Sequence, residues 1–517
     1  MTVFLTVYDG AQTIGGNKIL LEDGDTAVFL DFGTSFDARN RYFEEFLTPR
    51  SRAGLIDLVQ MDLLPPLRGI YRSDLQDPAG RVWERAERSP HYRKLRADAV
   101  LLSHAHMDHI GYISFLDTDI PIISTVMTAY LGKAIQDCGA HQFEGEMSYA
   151  TPKIADKDGN LGAAPTKDFP FMRRPTLLAD TLPDDGGEFW NLSPASTKGR
   201  HFPKKRLKVV DRAGDLRVRY FPVDHSIYGS AAVAIETSAG WVVYTGDLRR
   251  HGKNRASTDA FVQAAKALNP IALICEGTNI DRGPGATEDD TFVSCLQAVQ
   301  AAEGEFVVAD FGPRNVERLL AFLEIARRTG RRLVISDKDA YVLTAMRAVD
   351  PGIPTPASDR TMVVYRRALL KPDTWVKQVR EWYRVQVSAA DVRSHPSEYI
   401  VCCSFFDIAE LVDIDPKQGC WIYSSSEPHD EEQLFELERL KHWLTHFNLE
   451  PIGLTEGPSR YHSSGHISGT EMQALIREIS PRVVIPVHTV HPERFVDLVG
   501  KEIPVRLPEI GVQLTLP

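Results

Sequence analysis

The sequence predicts an α/β protein whose apolar strands end in ionisable residues. Strand-like runs at 2–8, 17–22 and 26–31 are separated by turn-rich segments. From about 287 to 455, helix-like and strand-like segments alternate, which is typical of a parallel sheet covered by helices. A chain of 517 residues, 43 % of them hydrophobic, is long enough for two or more domains.

The remaining elements follow in chain order. The apolar run 97–102 predicts a buried strand, and a helix is expected to start near Ile110. The segment 140–206 is rich in Pro, Gly, Asp and Lys with weak periodicity, which predicts an irregular excursion. Strand patterns resume at 215, and the region after 287 is expected to alternate helices over 287–304, 314–330 and 430–447 with strands over 305–311 and 331–336.

The stretch "SHAHMDHI" (103–110) carries the clearest chemical signal. It holds three histidines and one aspartate in six positions, directly after a predicted strand: His104, His106, Asp108 and His109. Neutral imidazoles and carboxylates are the ligands that suit zinc and similar ions. Because these side chains are offered in two directions, they indicate two neighbouring metal ions. The alternative interpretation is a solvated polar loop.

Five further apolar runs each end in one ionisable residue. They are "TAVFLD", "LRVRYFPVDH", "WVVYTGD", "PIALICE" and "PRVVIPVH", which end in Asp31, His225, Asp247, Glu276 and His488. In sheets whose faces are covered by helices, sites collect at the carboxyl ends of strands. Each residue alone fits a turn or cap equally well, but together they predict a convergent polar rim beside the histidine-rich stretch.

The stretch "YHSSGHISGTEM" (461–472) predicts a phosphate-binding turn. Ser468 followed by Glu471 forms a capping box, so a helix is expected from about Gly469 to Ser480. His462 and His466 lie just before this helix N-terminus, where backbone N–H groups and the helix dipole favour phosphate. The alternative is a loop whose polar residues only cap the helix.

Composition excludes several classes of protein. The net charge of −11 argues against nonspecific coating of nucleic acid, although basic stretches at 202–208, 247–255 and 365–371 offer a local channel. The six cysteines form no CxxC pair, which fits a reducing compartment. No apolar run is long enough to span a bilayer, and the first residues do not resemble a signal peptide. A cytoplasmic protein without membrane partners is therefore expected.

The order of these motifs resembles the metallo-β-lactamase superfamily, and within it the β-CASP nucleases, most closely the ribonuclease J group. The resemblance rests on Asp31, the HxHxDH stretch and the segments "DHSIYGSAAVAIETSAGWVVYTGDLRRHG", "CEGTN" and "YHSSGHISGTEMQALIREISPRVVIPVHTVHPERF". It implies an αββα sandwich formed by residues 1–280 and 456–517, with an inserted α/β β-CASP domain at 281–455.

The resemblance also implies a ligand set for two divalent ions. One ion would be held by His104, His106 and His225 and the other by Asp108, His109 and His488, with Asp247 bridging them. Asp31 would orient a ligand rather than bind metal. Zinc is the first choice because histidines dominate, and manganese stays open because carboxylates are available. Two such ions would hold a bridging hydroxide for attack on phosphorus.

Further roles follow from the family motifs. Its motif A acid corresponds to Glu276, its motif B histidine to His466 and its motif C histidine to His488. The catalytic residues would be Asp108, His466 and Glu276. The substrate phosphate would be bound by His462, Ser464 and Gly465.

The function implied is hydrolysis of single-stranded RNA by a metal-dependent nuclease, as a 5′–3′ exonuclease with possible endonuclease action. A histidine at motif C favours RNA, since the DNA-directed members typically carry valine there. The alternatives are a DNA-directed β-CASP nuclease, a small-molecule hydrolase of the same fold and an inactive scaffold in RNA processing. RNA is the expected partner, and a homodimer is left open.

Overall fold

Three large β-sheets organise the chain in the computed structural model. The structure describes residues 2–517 except 45, 140–143, 194–198, 313, 427–430 and 456–458. Two of the sheets face each other and form a sandwich, and the third lies within the region predicted to be an insertion. We call them the amino-terminal, central and inserted sheets.

The amino-terminal sheet has eight strands. Its first three strands in the chain are antiparallel neighbours, as the turn-rich segments between them predict, and Thr26–Leu30 then pairs in parallel with Ala99–Leu101. In spatial order the strands are Lys208–Val209, Thr176–Leu178, Ile122–Ser124, Ala99–Leu101, Thr26–Leu30, Lys18–Asp23, Val3–Asp9 and Gln513–Thr515.

The central sheet has six strands, five of them from residues 212–276 and one from near the carboxyl end of the chain. In spatial order they are Arg212–Ala213, Leu216–Pro222, Ala231–Thr237, Gly240–Tyr244, Ala272–Glu276 and Val484–Val487. Ala272–Glu276 pairs in parallel with Val484–Val487, although more than two hundred residues separate them in the sequence. The inserted region therefore leaves the central sheet at one strand and returns to it at the next.

An apolar core lies between these two sheets. Val28 and Leu101 of one sheet pack in the same cluster as Val233, Ile274 and Ile485 of the other, and all are fully buried or nearly so. Burying one such side chain stabilises the fold by roughly 1.5–3 kcal/mol. The outer face of the central sheet is covered by the helices Arg255–Leu268 and Gly469–Ile479. The layers are thus those of an αββα sandwich.

The inserted sheet has seven parallel strands. Their buried residues are mostly Val, Ile and Leu, as expected for strands covered by helices on both faces. In spatial order they are Gln386–Val387, Met362–Tyr365, Arg332–Ile335, Tyr399–Cys402, Phe306–Asp310, Gly419–Tyr423 and Leu449–Ile452. The α-helices of this region are Glu288–Ala301, Val316–Thr329, Asp337–Arg347, Thr374–Trp382, Ala389–Ser394, Glu410–Ile414 and Glu431–His446. The exact domain boundaries at 280 and 455 remain predictions.

The excursion at 140–206 is more ordered than its composition predicts. Thr176–Leu178 joins the amino-terminal sheet beside Ile122–Ser124, because Thr176 and Leu178 are buried against it. Small two-stranded ladders are formed by Tyr149–Ala150 with Met172–Arg173, Lys153–Ala155 with Leu161–Ala163, and, outside the excursion, Leu67–Arg68 with Arg93–Lys94. Residues 140–143 and 194–198 of the excursion lie outside the described part.

The remaining helices include Val126–Cys138, which covers the outer face of the amino-terminal sheet, where its Ala129 shares an apolar cluster with Leu20 and Phe29. These remaining helices are the α-helices Phe36–Asn40, Ile56–Gln60, Arg81–Ala86, Met107–Ile110, Val126–Cys138 and Arg494–Val499 and the 3₁₀ helices Ser73–Leu75, Gly111–Phe115, Pro396–Glu398 and Phe405–Asp407. Among all helices in the described ranges, none has both the length and the apolar character needed to cross a bilayer.

Candidate metal centre and phosphate pocket

The predicted ligands meet at one edge of the sandwich, where strands from both facing sheets end. The amino-terminal sheet contributes the histidine-rich stretch, which follows Ala99–Leu101. The helix expected from Ile110 begins earlier, at Met107, with His106 as its N-cap. Asp108 and His109 therefore lie in the first helical turn. The central sheet contributes His225, Asp247 and His488, each just beyond the end of a strand.

The first group of candidate ligands consists of three histidines. The Nδ1 atom of His106 lies 3.1 Å from Nε2 of His104 and 3.1 Å from Nε2 of His225. His104 and His225 are buried, and His106 is half-buried. The three nitrogens therefore converge on one point, as the ligands of a single cation do.

The second group lies next to the first and shares Asp247 with it. Nε2 of His488 is 3.1 Å from Oδ2 of Asp108, and Nε2 of His109 is 3.1 Å from Oδ2 of Asp247. The same Asp247 oxygen lies 3.7 Å from Nε2 of His104 and 4.0 Å from Nε2 of His225. Asp247 thus stands between the two groups, where a bridging carboxylate is expected.

These residues fit a pair of divalent cations. The other oxygen of Asp247, Oδ1, is buried and has no hydrogen-bond partner in the part of the chain that the structure describes. A buried carboxylate oxygen without a partner is costly unless a cation satisfies it. The surrounding donors, imidazole nitrogens with a few carboxylates, are the set that zinc and similar metals prefer.

Outer partners fix the orientation of the candidate ligands. Oδ2 of Asp31 accepts from Nδ1 of His109 at 2.7 Å and from the Tyr244 hydroxyl at 2.7 Å, so Asp31 lies behind the cluster, as the sequence predicts. Thr278 Oγ1 contacts Nδ1 of His488 at 2.9 Å, and the Gly465 carbonyl accepts from Nδ1 of His225 at 2.6 Å. Such partners set the tautomer of a ligating histidine.

Two residues of the site adopt left-handed backbone conformations that non-glycine residues rarely use. The φ angles are +58° at Asp31 and +53° at His488. Each such residue costs on the order of 1–3 kcal/mol, and such residues cluster at functional sites. Both residues directly follow a strand and lie at the candidate metal centre, so the unfavourable backbone conformations coincide with the site.

The pocket loop, residues 462–466, passes directly beside the metal-ligand cluster. Its Ser464 hydroxyl accepts from Nδ2 of Asn279 at 2.9 Å, and the Nδ1 atom of His462 lies 3.4 Å from the Ser424 carbonyl. A Cβ atom at Gly465 would stand 2.9 Å from Cε1 of His225, so the loop approaches this ligand as closely as a glycine permits. The helix after the loop runs over Gly469–Ile479 with the predicted capping box.

Glu276 lies behind His466 and holds it. Both carboxylate oxygens are 3.1 Å from Nδ1 of His466, and they also accept from the backbone N–H groups of Leu248 and Thr278. Nδ1 of His466 lies 3.9 Å from Oδ2 of Asp247. The structure thus brings Glu276, His466 and Asp247 together, with Glu276 directed toward the histidine.

Burial determines the charge state of several histidines. It lowers the pKa of His104 and His225 well below the usual value, and that of His106 to about 4. These imidazoles are therefore neutral at pH 7, which is the form that binds metal. Burial, reinforced by the charge of Arg318, lowers the pKa of His462 to about 4, so this imidazole is neutral at pH 7 in the free protein.

Arg314 is a cation near the site that the sequence did not single out. It precedes Asn315, whose side chain caps the helix Val316–Thr329 by accepting from the backbone N–H of Arg318. Burial lowers the pKa of Arg314 to about 10 against the opposing effect of the nearby Asp108, and its charge in turn contributes to the low pKa of His106. No local motif signals this placement.

Fold and site together define an αββα sandwich with an inserted α/β region and a histidine-rich candidate metal centre at the strand ends. Among curated proteins, the chain is similar to ribonuclease J of Mycolicibacterium smegmatis, with 24 % identity over 403 residues. It is also similar to ribonuclease J of Pyrococcus abyssi, with 22 % identity over 492 residues. The resemblance read from the motifs is confirmed by these relatives.

The coverage of these matches differs. The Mycolicibacterium match covers 76 % of this chain but 58 % of the relative, whereas the Pyrococcus match covers 93 % and 88 %. A solved structure of a protein of unknown function from Enterococcus faecalis V583 aligns over the whole of both chains with a TM-score of 0.65 and 22 % identity, which supports the fold alone. No family model matches the chain.

Proposed function

We propose that the chain is a metal-dependent ribonuclease that hydrolyses phosphodiester bonds of single-stranded RNA, with 5′–3′ exonuclease action. The observation that carries this proposal is the meeting of seven histidine and aspartate side chains in two adjoining groups, directly beside a loop suited to phosphate. The relatives named ribonuclease J support RNA as the substrate.

Two divalent ions are the proposed cofactors, zinc first and manganese as the alternative. His104, His106 and His225 would hold one, and Asp108, His109 and His488 the other, with Asp247 between them. When bound, such a pair supplies Lewis-acid charge at the phosphoryl oxygens and makes a water acidic enough to attack at neutral pH.

The pocket loop supplies the substrate contacts. Because the Ser464 hydroxyl accepts from Asn279 and from the backbone N–H of His466, at 2.9 and 3.2 Å, its own hydrogen is free to donate to a phosphate oxygen. His462 is the second side chain proposed to contact the phosphate, and Gly465 allows the phosphate to approach the backbone closely. Arg314 adds positive charge from the inserted region.

His466 is the proposed proton donor to the leaving oxygen. Its Nδ1 atom is bound by Glu276, which leaves Nε2 available to donate a proton to the leaving oxygen. Glu276 thus acts by fixing the orientation of the imidazole and stabilising its protonated form. Asp108 and Asp247 are carboxylates that would lie beside the attacking water.

A time course with RNA labelled at the 5′ or the 3′ end, with zinc, manganese or a chelator, tests the proposal. We expect early release of labelled nucleotide from the 5′ end, a shortening ladder from the 3′-labelled RNA, and no activity with the chelator. Internal fragments from both labels would instead show endonuclease action. Faster degradation of a matched single-stranded DNA would establish the DNA-directed alternative, and RNA binding without cleavage would establish the scaffold.

A cytoplasmic location, where single-stranded RNA is abundant, is the matching proposal for the cell. Homodimer formation stays a prediction, and sedimentation of the purified chain would decide it.

A further inference from the structure

Arg249 is a fully buried arginine two residues after the candidate bridging ligand Asp247. The sequence placed it in a basic stretch that could line a channel, but its side chain has no exposed surface. It contacts carboxylates instead: Asp224 Oδ1 at 3.2 Å, Glu288 Oε1 at 2.9 Å and Glu317. A buried guanidinium is tolerated because these acceptors compensate the loss of water.

The acceptors come from separate parts of the fold. Asp224 directly precedes the candidate ligand His225, whereas Glu288 and Glu317 lie in the first turns of the helices Glu288–Ala301 and Val316–Thr329 of the inserted region. Arg249 therefore links the loops that carry the candidate ligands His225 and Asp247 to two helices of the inserted region.

A second buried arginine extends this network to the start of the pocket loop. Nη2 of Arg318 donates to Oε2 of Glu288 at 2.7 Å, and its Nη1 donates to the Tyr461 carbonyl at 3.0 Å and to the Ser424 hydroxyl. Tyr461 directly precedes His462. The charges along the chain of contacts alternate in sign from Arg249 to Glu288 to Arg318.

Arg249 also holds the pocket loop itself. Its Nη1 atom donates to the Ser464 carbonyl at 3.1 Å, and Nε2 of His251 donates to the same carbonyl at 2.9 Å. Because Arg249 is itself held by buried carboxylates, the Ser464 backbone is held in place before any substrate arrives. Pre-organisation of this kind lowers the cost of binding.

We propose that Arg249 is a positioning residue that sets the pocket loop against the inserted domain, so that phosphate binding at His462 and Ser464 depends on how that domain is seated. This inference rests on the proposed function and deepens it. Arg249 would act through Ser464 and the two helices, without touching the substrate or the metals.

The test compares Arg249→Met and Arg249→Lys with Arg250→Met in the metal-loaded enzyme. Arg250 is the matched control, since it pairs with Asp259 and Glu478 near the surface and makes no contact to the pocket loop among the described residues. We expect Arg249→Met to raise KM for RNA roughly tenfold, with kcat and metal content changed much less, because a lost ground-state contact appears in KM. Arg249→Lys should recover little of this, because an ammonium cannot replace the planar fork of donors.

The KM readout separates positioning from plain destabilisation. A purely structural role would leave KM unchanged and reduce kcat in proportion to the unfolded fraction, and that result would overturn the proposal. If Arg249→Met does not fold, Glu317→Gln breaks a single arm of the network and should raise KM by about threefold; an unchanged KM there would also overturn it.

The same experiment shows whether the proposed function itself is wrong, independently of the role of Arg249. If the wild-type enzyme degrades DNA rather than RNA, KM is compared on the matched DNA, because the pocket is inferred to bind phosphate. If neither is cleaved, the dissociation constant of the labelled RNA replaces KM, with the same expected changes.

Discussion

At the scale of single residues, Asp247 is the carboxylate that lies close to both groups of candidate ligands. One of its oxygens lies 3.1 Å from His109 and 3.5 Å from His488, and the other is buried without a partner among the described residues. A residue so placed contributes little packing, and its energetic role depends on what binds there. Substitutions in the cluster should therefore affect catalysis far more than folding.

Asp108→Ala should abolish most of the activity while the fold persists. The side chain is 21 % exposed and its contact to His488 is polar, so little apolar surface is lost. Removing a carboxylate from the proposed two-metal site should cost roughly 100-fold or more in kcat. Asp119→Ala, an exposed carboxylate, is the control and should behave as wild type. Full activity of Asp108→Ala, or of the enzyme in metal-free buffer, would contradict the two-metal mechanism.

His462→Ala and His466→Ala should differ in their kinetics. His462 lies at the far end of the pocket loop against the Ser424 carbonyl, so its loss should mainly raise KM. His466 faces the metal cluster and is held by Glu276, so its loss should mainly lower kcat with both metals retained. Steady-state kinetics and metal analysis test this. Loss of metal from His462→Ala, or a change in KM alone for His466→Ala, would refute the assignment.

At the scale of elements, the sequence predicted the parts whose signals are local. The capping box at Ser468 fixed the start of the helix Gly469–Ile479, and apolar runs located most strands of the sandwich. The start of the helix at Met107 was missed because its first turn carries ligands instead of apolar residues, and its N-cap His106 makes no side-chain capping bond. In this turn, candidate ligands occupy positions that apolar residues would take in an ordinary amphipathic helix.

Ser468→Ala should destabilise the helix that supports the pocket loop. The hydroxyl accepts from the backbone N–H of Glu471. In return, the Glu471 carboxylate accepts from the Ser468 hydroxyl at 2.7 Å and from the Ser468 backbone N–H at 3.2 Å. Loss of such a cap costs about 1 kcal/mol. The urea midpoint should fall for Ser468→Ala and stay near wild type for Ser468→Thr, which keeps the hydroxyl. Equal midpoints for the two variants would show that the cap carries no stability.

Asp310→Asn should stabilise the chain at alkaline pH. Burial, with a contribution from the charge of Asp407, raises the pKa of Asp310 to about 7, and the Trp421 indole N–H bonded to it opposes the shift. A raised pKa favours the fold at low pH, and this contribution is lost as the pH rises from about 4 through 7. The variant should therefore gain in melting temperature over wild type at pH 8.5 and show little gain at pH 4.5. A constant difference between the two pH values would contradict this.

At the scale of the whole molecule, the site joins parts that are distant in the sequence. The histidine-rich stretch belongs to the amino-terminal sheet, whereas His225, Asp247 and His488 belong to the central sheet. The five strand-end residues were predictable because each follows an apolar run. The Arg249 network and the contact of Thr278 could not be predicted in this way. Arg249 and Ser464 are 215 positions apart, and Thr278 and His488 are 210 positions apart, so these ordinary polar residues become partners only in the folded chain.

Metal should therefore stabilise the entire sandwich and not only the loops that bind it. Ions held at the proposed centre would bind the folded chain and not the unfolded one, so each site would add RT ln(1 + [M]/Kd), about 2.7 kcal/mol at 100 times Kd. The melting temperature of chelator-treated enzyme should rise on titration with zinc or manganese and level off near two ions per chain. The variant His488→Ala removes a candidate ligand contributed by the central sheet, so it should bind fewer ions and show a smaller rise in melting temperature. The control is His491→Ala, which changes an exposed histidine that pairs with Glu493 and should match wild type. An unchanged melting temperature across the titration would show that these side chains do not form a metal centre.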